Sequence, residues 1–523
     1  MSLVTWSWIF LVAYIGSMLV LGWMGSRRIK DADDFATARG SYGPIFLALA
    51  FAASTASGAT FLGSPGLGYS YGTASMWSKF LYPVGVYFGV LISIRAVSGA
   101  GNRFGNRTIP EYLGDRYQSD GIRILVSIFS LVLFFYIAGQ LVSGLVMFET
   151  MLGLDPFWAL TITTLVLLIY VVLGGAHADI LTDGVQGFMM LLVALITIGM
   201  FLGGVGVEGG LSGVLDRLRE LDTDLVKVLN PSTPLYHSWW SVVAILLAHI
   251  PLGLLPHIGN KLWALEDDGD RYRFVRLAFG IGLSLGLLGV GGLLARAVLG
   301  DELLAPGRSP NEALPALFIE IFPTWFAALV GVGILAAIMS TADGLVVSSS
   351  QILANDLYRR SYVPRYAADL SEAEVDRRVL LISRVSTGGV LFLCMFLAWA
   401  LMDMNIALLV WVGSGGMMAA FAGPLVVGCL WRGVTAAGAY AGLIGGMTTF
   451  ILLHSGVLPV NVPGPLGGIF SWLAVESPNP YSCAAMGELV SVGLTWAVSR
   501  TTRPLDREHV DALFDTSERP GTF

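Results

Sequence analysis

Two hydroxyl side chains share one face of a strongly apolar segment near the middle of the chain. Ala337, Ser340 and Thr341 stand at positions i, i+3 and i+4, and residues with that spacing lie side by side on a helix. A sodium ion is a hard cation that needs several oxygen ligands. The two hydroxyls and a carbonyl on this face could supply them, together with carbonyls of a facing helix. The hydroxyls could instead donate to carbonyls of their own helix, and spacing alone favours that second interpretation.

Two other apolar segments are interrupted by small, hydroxylic and helix-breaking residues. Residues 52–66 read AASTASGATFLGSPG, and residues 249–259 read HIPLGLLPHIG. Unwound backbone inside a bilayer is tolerated only where protein or a watery cavity satisfies its polar groups. Close helix packing explains either segment taken alone. The two are five apolar segments apart, however, as expected of two inverted five-helix repeats, and this pairing favours a solute site near the middle of the membrane.

Two carboxylates, Asp183 and Asp343, stand within or beside apolar segments. A carboxylate at the centre of a membrane helix costs about 2.5–3.5 kcal/mol on insertion scales, so it usually faces a cavity and has a function. The pair could hold a second cation or a proton. Alternatively, Asp183 could reach water at the end of its segment, and Asp343 could cap a structural hydrogen bond.

The elements that must position these groups are membrane helices. Of the 523 residues, 55% are hydrophobic and 13% are charged, against about 25% charged in an ordinary soluble domain. About thirteen segments reach the length of about 20 residues that crosses a bilayer, which predicts an all-α, polytopic membrane protein. They lie near residues 3–25, 44–72, 76–97, 122–152, 157–175, 183–206, 237–262, 274–299, 323–348, 379–401, 406–430, 434–456 and 481–500.

The charged loops predict the orientation of the chain. Most of the 30 Lys and Arg residues fall in alternate connections, which the positive-inside rule assigns to the cytoplasm. The N-terminus is then outside, and the tail over residues 501–523 is cytoplasmic, while residues 207–232 contain a short amphipathic outer helix. The net charge of −7 and the absence of a basic patch argue against nucleic acid as a partner. The three cysteines all lie in apolar stretches, without metal-ligand spacing, and are expected to be small buried residues. They are Cys394, Cys429 and Cys483.

Solute contacts are expected from the two interruptions and from the segments that face them. The candidates are Thr55, Ser57, Thr60, Trp77, Tyr136, Gln140, His257 and Asn260. Lys79 and Lys261 stand near the ends of their segments, so they are expected to extend towards the membrane interfaces.

Several motifs, in order along the chain, resemble those of the solute:sodium symporter family. They are AIMSTAD at 337–343, NDLY at 355–358, TIPEYLGDRY at 108–117, TDGVQG at 182–187 and Gly423-Pro424 before Trp431-Arg432. The resemblance extends over about residues 5–450. It implies the inverted-repeat (LeuT-type) fold, with one leading and two trailing helices around a ten-helix core. Residues 1–500 would form a single transporter domain, with repeats at 44–206 and 237–430.

The resemblance also implies a sodium site. Its ligands would be the carbonyls of Ala53, Ala56 and Ala337 and the hydroxyls of Ser340 and Thr341.

For the carboxylates, the resemblance leaves two roles open. Asp183 is similar to a family aspartate on the ion exit path or in a second sodium site. Some members build that second site with hydroxyls where this chain has Asp343 and Gly344.

Together these features predict sodium-coupled symport of a small organic solute into the cell. The two interrupted segments look most like the pantothenate and monocarboxylate branch, and half-helix N-termini suit a carboxylate. A proton-coupled carrier and a solute sensor without significant flux are the alternatives. No enzyme is expected, since no nucleophile–base set or nucleotide loop is present. The expected partners are the solute and the bilayer, and no obligate protein partner is evident.

Overall fold

The computed structural model describes residues 1–458, 463–464 and 467–514, and all the regular elements of this part of the chain are helices. The all-α prediction is confirmed for these residues. Residues 515–523 of the predicted tail lie outside the described residues. The α-helices are Leu3–Ser26, Ala32–Thr37, Pro44–Thr55, Ser64–Tyr71, Met76–Phe104, Ile109–Arg116, Asp120–Ser130, Leu133–Leu152, Pro156–Gly203 with a break at Gly175, Gly210–Leu221, Trp239–Ala248, Pro256–Gly259, Arg271–Leu287, Gly291–Leu299, Ala313–Ile321, Thr324–Gln351, Val363–Tyr366, Glu372–Leu401, Ile406–Phe421, Gly428–Leu430, Ala436–His454, Gly467–Glu476, Pro480–Thr501 and Arg507–Phe514.

Within the described ranges, 10 helical runs are long and apolar enough to cross a membrane. Counting the bent pair Trp239–Leu254 and Pro256–Ala264 as one span gives up to 11. Two shorter apolar helices, Pro44–Thr55 and Pro156–Ile169, cover parts of predicted segments. A multi-pass membrane protein is therefore confirmed. The count of about thirteen spans and the two inverted repeats stay predictions.

Burial separates central helices from peripheral ones. In the most apolar stretches of Thr324–Tyr366 and Ile406–Leu430, 83% and 89% of the residues are buried. The corresponding shares for Leu3–Ser26 and Glu372–Leu401 are 22% and 33%. The apolar side chains that these outer helices expose suit contact with lipid tails, because the bilayer core is as apolar as they are.

The first interruption, at Ala56 and Ser57, separates Pro44–Thr55 from a second helical half, in which a π-helical turn, Ala59–Gly63, runs directly into Ser64–Tyr71. The two halves are here called the first broken helix. Ala56, which ends the first half, has an extended backbone (φ −96°, ψ 99°). Gly58 follows in close contact with its neighbours, since a Cβ there would lie 2.2 Å from Oγ of Ser143. The small residues seen in the sequence therefore allow this unwound turn to pack inside the protein.

The second interruption bends Trp239–Leu254 against Pro256–Ala264 by 52°, and this pair is called the second broken helix. Leu255, at the bend, has an extended backbone (φ −59°, ψ 150°). The following Pro256 suits a helix start, where its missing N–H has no partner to lose.

A short stretch of paired backbone joins the two broken helices at one end. The N–H groups of Gly40 and Tyr42 donate to the carbonyls of Trp263 and Ala264, each at 3.0 Å, and the N–H of Glu266 donates to the carbonyl of Tyr42 at 3.0 Å. This parallel bridge connects the segment that leads into the first broken helix to the end of the second.

The loops predicted to be cytoplasmic meet at one end of the molecule. Asp33 pairs with Arg39 at 2.9 Å and with Arg107 at 3.6 Å, and Arg360 pairs with the buried Glu111. These contacts bring three of the predicted inner loops together, as a two-sided membrane protein requires. Which end faces the cytoplasm stays a prediction.

Packing of the second broken helix depends on a close contact with helix Met76–Phe104. A Cβ on Gly89 would lie 1.8 Å from the carbonyl oxygen of Ile250, whereas a Cβ on Gly99 would meet nothing closer than 3.6 Å, at an arginine side chain. We expect Gly89→Ala to destabilise the protein by about 1–3 kcal/mol through overpacking. The matched Gly99→Ala should leave stability unchanged or slightly raised, since Ala favours helix. Equal melting temperatures of the two purified variants in detergent would contradict this packing.

Candidate functional site

The interruption in the first broken helix leaves backbone carbonyls without their helical partners. In a continuous helix the N–H groups of Gly58 and Ala59 would donate to the carbonyls of Ser54 and Thr55. Instead the N–H of Gly58 donates to Oε1 of Gln140 at 2.9 Å, and that of Ala59 donates to a serine hydroxyl at 3.2 Å. Both carbonyls must therefore be satisfied from outside the helix.

The two hydroxyls on the central helix Thr324–Gln351 lie directly against this interruption. Oγ of Ser340 is 3.2 Å from the carbonyl oxygen of Ala53 and 3.1 Å from that of Ala337. Oγ1 of Thr341 is 3.5 Å from the carbonyl oxygen of Ala53 and 3.4 Å from that of Ser54. Four of the five residues proposed for the sodium site thus converge, all of them buried. Their oxygens are neutral, which suits a monovalent hard cation.

Ala56, the fifth residue, lies three positions further along the same interruption. Its N–H closes the last turn of the helix by donating to the carbonyl of Ala52 at 3.0 Å. Among the described residues, no hydrogen bond joins Ala56 to Ser340 or Thr341. Its place in an ion site therefore stays a prediction.

Three buried carboxylates lie beside this group, with an ammonium between them. Asp179, Asp183 and Asp343 have carboxylate oxygens within 4.8 Å of one another. Nζ of Lys261 is 2.9 Å from Oδ2 of Asp179 and forms an ion pair with Asp183. These four residues are called the lysine–carboxylate cluster. Lys261 is only 3% exposed, so the expectation that it extends to the interface is wrong, because its charge is compensated inside the protein.

Ser54 connects this cluster to the hydroxyl pair. Its carbonyl lies against Thr341, while its Oγ donates to Oδ2 of Asp183 at 2.7 Å and is 2.5 Å from Nζ of Lys261. Asp343 faces the cluster from the central helix, and its Oδ1 accepts the N–H of Gly344 at 2.8 Å. The cap suggested for Asp343 is therefore present, but it engages a single carboxylate oxygen.

Four candidate solute contacts line a cavity of about 70 Å³ beside the first interruption. They are Thr55, Ser57, Thr60 and Tyr136. This central cavity is also lined by residues that sequence reasoning did not select, among them Ser64, Lys79, Tyr82, His249, Trp411 and Tyr481.

His257 and Asn260 lie on the other side of the interruption. They line a smaller cavity, of about 20 Å³, together with two members of the lysine–carboxylate cluster. The ring of His257 packs edge-on against Tyr136 with centroids 5.4 Å apart. Hence the sequence-predicted set divides between two neighbouring cavities, and an aromatic pair separates them.

The last two candidates have other surroundings. Gln140 accepts a hydrogen bond from the N–H of Gly58, as described above, and so stabilises the unwound backbone of the interruption. Trp77 lies away from the central cavity, where its indole N–H donates to the carbonyl of Val228 at 3.0 Å and its ring packs against Trp239. A direct solute contact by either residue stays a prediction.

An aromatic wall closes one side of the central cavity. His249 packs edge-on against Tyr82 at 5.0 Å and against Trp411 at 4.8 Å, and Trp411 packs against Tyr481 at 4.6 Å. The position of His249 just before Pro251 was a usable signal in the sequence. Nothing in the apolar run around Tyr481 indicated that it reaches this cavity.

Comparisons of the sequence with known proteins identify a transporter family. Residues 35–446 match the model of the Sodium:solute symporter family. The Sodium/pantothenate symporter of Haemophilus influenzae is 28% identical over 82% of this chain and 86% of its own. The High-affinity proline transporter PutP of Bacillus subtilis is 28% identical over 83% of this chain and 89% of its own. These relatives are transporters and not enzymes.

Solved structures with a similar fold are also transporters. A Na⁺-coupled sialic acid symporter, in a substrate-bound outward-open state, matches with a TM-score of 0.72 and 19% identity over 95% of this chain and 98% of its own. The nucleobase-cation-symport-1 family transporter MHP1, in a closed conformation with bromovinylhydantoin bound, matches with a TM-score of 0.52 and 13% identity over 92% of this chain and 98% of its own. Similarity at these identities establishes the fold alone.

The lysine–carboxylate cluster predicts a strong dependence of stability on charge balance. Replacing Lys261 by Met leaves carboxylates buried without a cation, and breaking a buried pair in this way costs about 3–5 kcal/mol. We expect Lys261→Met to lower the melting temperature in detergent strongly, and the double variant with Asp183→Asn to recover part of the loss. The exposed pair Arg219–Asp216 supplies the control, because Arg219→Met should have little effect. Additive effects of the two cluster substitutions would show that the residues do not interact.

Proposed function

Since the chain belongs to the sodium:solute symporter family, we propose that it uses the sodium gradient to carry a small organic carboxylate into the cell. The observation that carries this proposal is the meeting of the Ser340 and Thr341 hydroxyls with the carbonyl of Ala53. This contact brings the expected hydroxyl ligands to the first interruption. Thr55 and Ser57, at the same interruption, line the central cavity.

The sodium site that we propose consists of five oxygens. A bound ion would take lone pairs from the hydroxyls of Ser340 and Thr341 and from the carbonyls of Ala53, Ala56 and Ala337. Several oxygen ligands at short range satisfy a hard cation. The ion would hold the central helix against the first broken helix and so favour one shape of the interruption. Because Thr55 and Ser57 of this interruption line the cavity, ion binding and solute binding would favour the same local structure.

The carboxylate class of the solute rests on chemistry that the named relatives share. Pantothenate and proline, after which two of them are named, both carry a carboxylate. The second half of the first broken helix begins at Gly58 and Ala59, beside the central cavity that Ser57, Ala59 and Thr60 line. A helix N-terminus carries partial positive charge and favours an anionic group.

Coupling to protons is a second candidate, and the lysine–carboxylate cluster favours it. Three buried carboxylates and one ammonium leave two negative charges uncompensated if all four groups are ionised. A buried net charge is unfavourable, so the cluster would bind either protons or a second cation. Asp183 and Asp343 are the groups that we propose for this second ion or for its exit path.

For the topology we propose thirteen spans, with the N-terminus outside and the C-terminus in the cytoplasm. The two broken helices at equivalent positions of residues 44–206 and 237–430 support two inverted repeats. The basic loops that meet at one end support the orientation.

The proposal predicts which gradient drives uptake. In proteoliposomes with an inward sodium gradient, we expect accumulation of a labelled carboxylate from a panel of pantothenate, acetate, pyruvate, lactate and proline, with glucose as the neutral control. The same panel is measured with a proton gradient in sodium-free buffer. Accumulation with the proton gradient alone would show that protons, and not sodium ions, drive uptake. Saturable binding without uptake would indicate a sensor and contradict symport.

The hydroxyl pair predicts the sodium dependence of that uptake. Removing one ligand hydroxyl by Ser340→Ala should raise the sodium concentration for half-maximal uptake about 10-fold, as expected for a lost hydroxyl contact to a charged group. Ser350→Ala is the matched control on the same helix, since the buried Oγ of Ser350 donates to the carbonyl of Val347 within that helix. Equal sodium dependence of the two variants would remove Ser340 from the ion site.

A further inference from the structure

A buried lysine lines the central cavity without a carboxylate partner. Lys79 is 1% exposed, so the expectation that it extends to the membrane interface is wrong. Its Nζ is 3.2 Å from the carbonyl oxygen of Ser64, and 3.3 Å and 3.1 Å from the carbonyl oxygen and Oγ of Ser75. These oxygens accept hydrogen bonds from the amine, but they are neutral and cannot balance the charge of an ammonium.

The two buried lysines of this transporter therefore differ in charge balance. Lys261 is compensated by Asp179 and Asp183, whereas no carboxylate of the described residues lies within ion-pair distance of Lys79. An uncompensated buried charge is strongly unfavourable. An anionic group beside Lys79 would remove that imbalance, and the adjoining space that could admit one is the central cavity.

The surrounding helices leave room for the lysine side chain at this position. A Cβ on Gly289 would lie 2.4 Å from Cε of Lys79, and a Cβ on Gly286 would lie 2.9 Å from its carbonyl oxygen. Two glycines of one helical run thus face the residue, and its aliphatic stem occupies the space beside them. The absence of side chains at Gly286 and Gly289 therefore provides the space that Lys79 occupies.

The size of the cavity limits what can bind there. A volume of about 70 Å³ is only a few times the space of about 10–15 Å³ that a cavity needs to hold a single water molecule. Acetate, pyruvate and lactate, with about four to six non-hydrogen atoms each, match this room. Pantothenate, about three times larger, does not match it in this conformation.

We propose that Lys79 binds the carboxylate of the transported solute and that the solute is a short monocarboxylate. This inference rests on the proposed function, because it assumes that the central cavity holds the solute. The aromatic wall formed by Tyr82, His249 and Trp411 would then contact the short apolar part of the solute. Selectivity would come from the charge of Lys79 and from the small volume of the cavity.

The first test uses the wild-type protein in proteoliposomes with an inward sodium gradient. Labelled pyruvate is taken up, and unlabelled acetate, lactate, pyruvamide, lactamide and pantothenate are offered as competitors. The two amides have nearly the shape of pyruvate and lactate but carry no charge. We expect the short carboxylates to compete at least 10-fold better than the amides and better than pantothenate. Equal competition by amides and carboxylates would overturn the assignment of Lys79.

The second test changes the charge at the site. Lys79→Met should raise KM for pyruvate about 10- to 100-fold, as for the loss of a charge-assisted hydrogen bond. Competition by pyruvamide should stay unchanged, so the preference for the carboxylate disappears. Lys79→Arg should keep that preference. The exposed Lys227, paired with Asp224, supplies the control variant Lys227→Met, which should behave as wild type.

A purely structural role of Lys79 would give a different result. It would weaken pyruvate and pyruvamide together and would also reduce the stabilisation of the protein by sodium in the absence of solute. Unchanged selectivity in Lys79→Met would therefore overturn the proposal. If Lys79→Met does not fold, the wild-type competition series alone decides.

Failure of this inference is distinguishable from failure of the proposed function. Sodium-driven uptake of glucose alone would overturn the role of Lys79, and uptake of pantothenate or proline without a short monocarboxylate would overturn the size class of the solute. Either result would leave sodium symport intact. Absence of sodium-driven uptake for every solute in the panel would contradict symport itself.

Discussion

Backbone carbonyls that have lost their helical partners must be satisfied inside the protein, because a bilayer offers them no water. The turn that follows Thr55 creates such carbonyls in the interior, and their partners come from other helices. Tyr82 donates to the carbonyl of Thr55 at 2.5 Å, and Thr341 of the central helix lies against that of Ser54. The positions of the surrounding helices are thus tied to one unwound turn. The same requirement makes this turn a supply of oxygen ligands that no continuous helix could provide.

The three helical residues that lead into this turn contact three different environments. The carbonyl of Ala53 meets the hydroxyl pair, the side chain of Ser54 meets Asp183 and Lys261, and Thr55 lines the central cavity. A rotation of a single turn would change all three contacts at once. Coupling between an ion and a solute requires this kind of shared element, whose alternative arrangements both ligands bias. No long pathway between distant sites is needed, since the distances involved are those of neighbouring side chains.

The sequence predicted those features that depend on local pattern. The two interruptions, the shared face of Ser340 and Thr341 and the all-helical class follow from spacing, small residues and apolar length. Partners that are distant in the chain could not be predicted in this way. Lys261 reaches Asp179 and Asp183 across about 80 residues, and Tyr481 reaches the cavity from the last long helix. For Lys79, nothing in the surrounding residues separates a side chain that extends to the interface from one that turns inward. Only the packing of several helices determines that direction.

The parallel bridge between residues 40–42 and 263–266 has a consequence for how such a transporter can change shape. Its hydrogen bonds join main-chain groups, so substitutions of the side chains leave the donors and acceptors in place, unless a proline removes an N–H. The ends of the two broken helices are therefore fastened together by a contact that tolerates sequence divergence. A rigid-body motion that opened the protein on this side would move these two ends as one piece. The hinge of such a motion would lie elsewhere in the molecule.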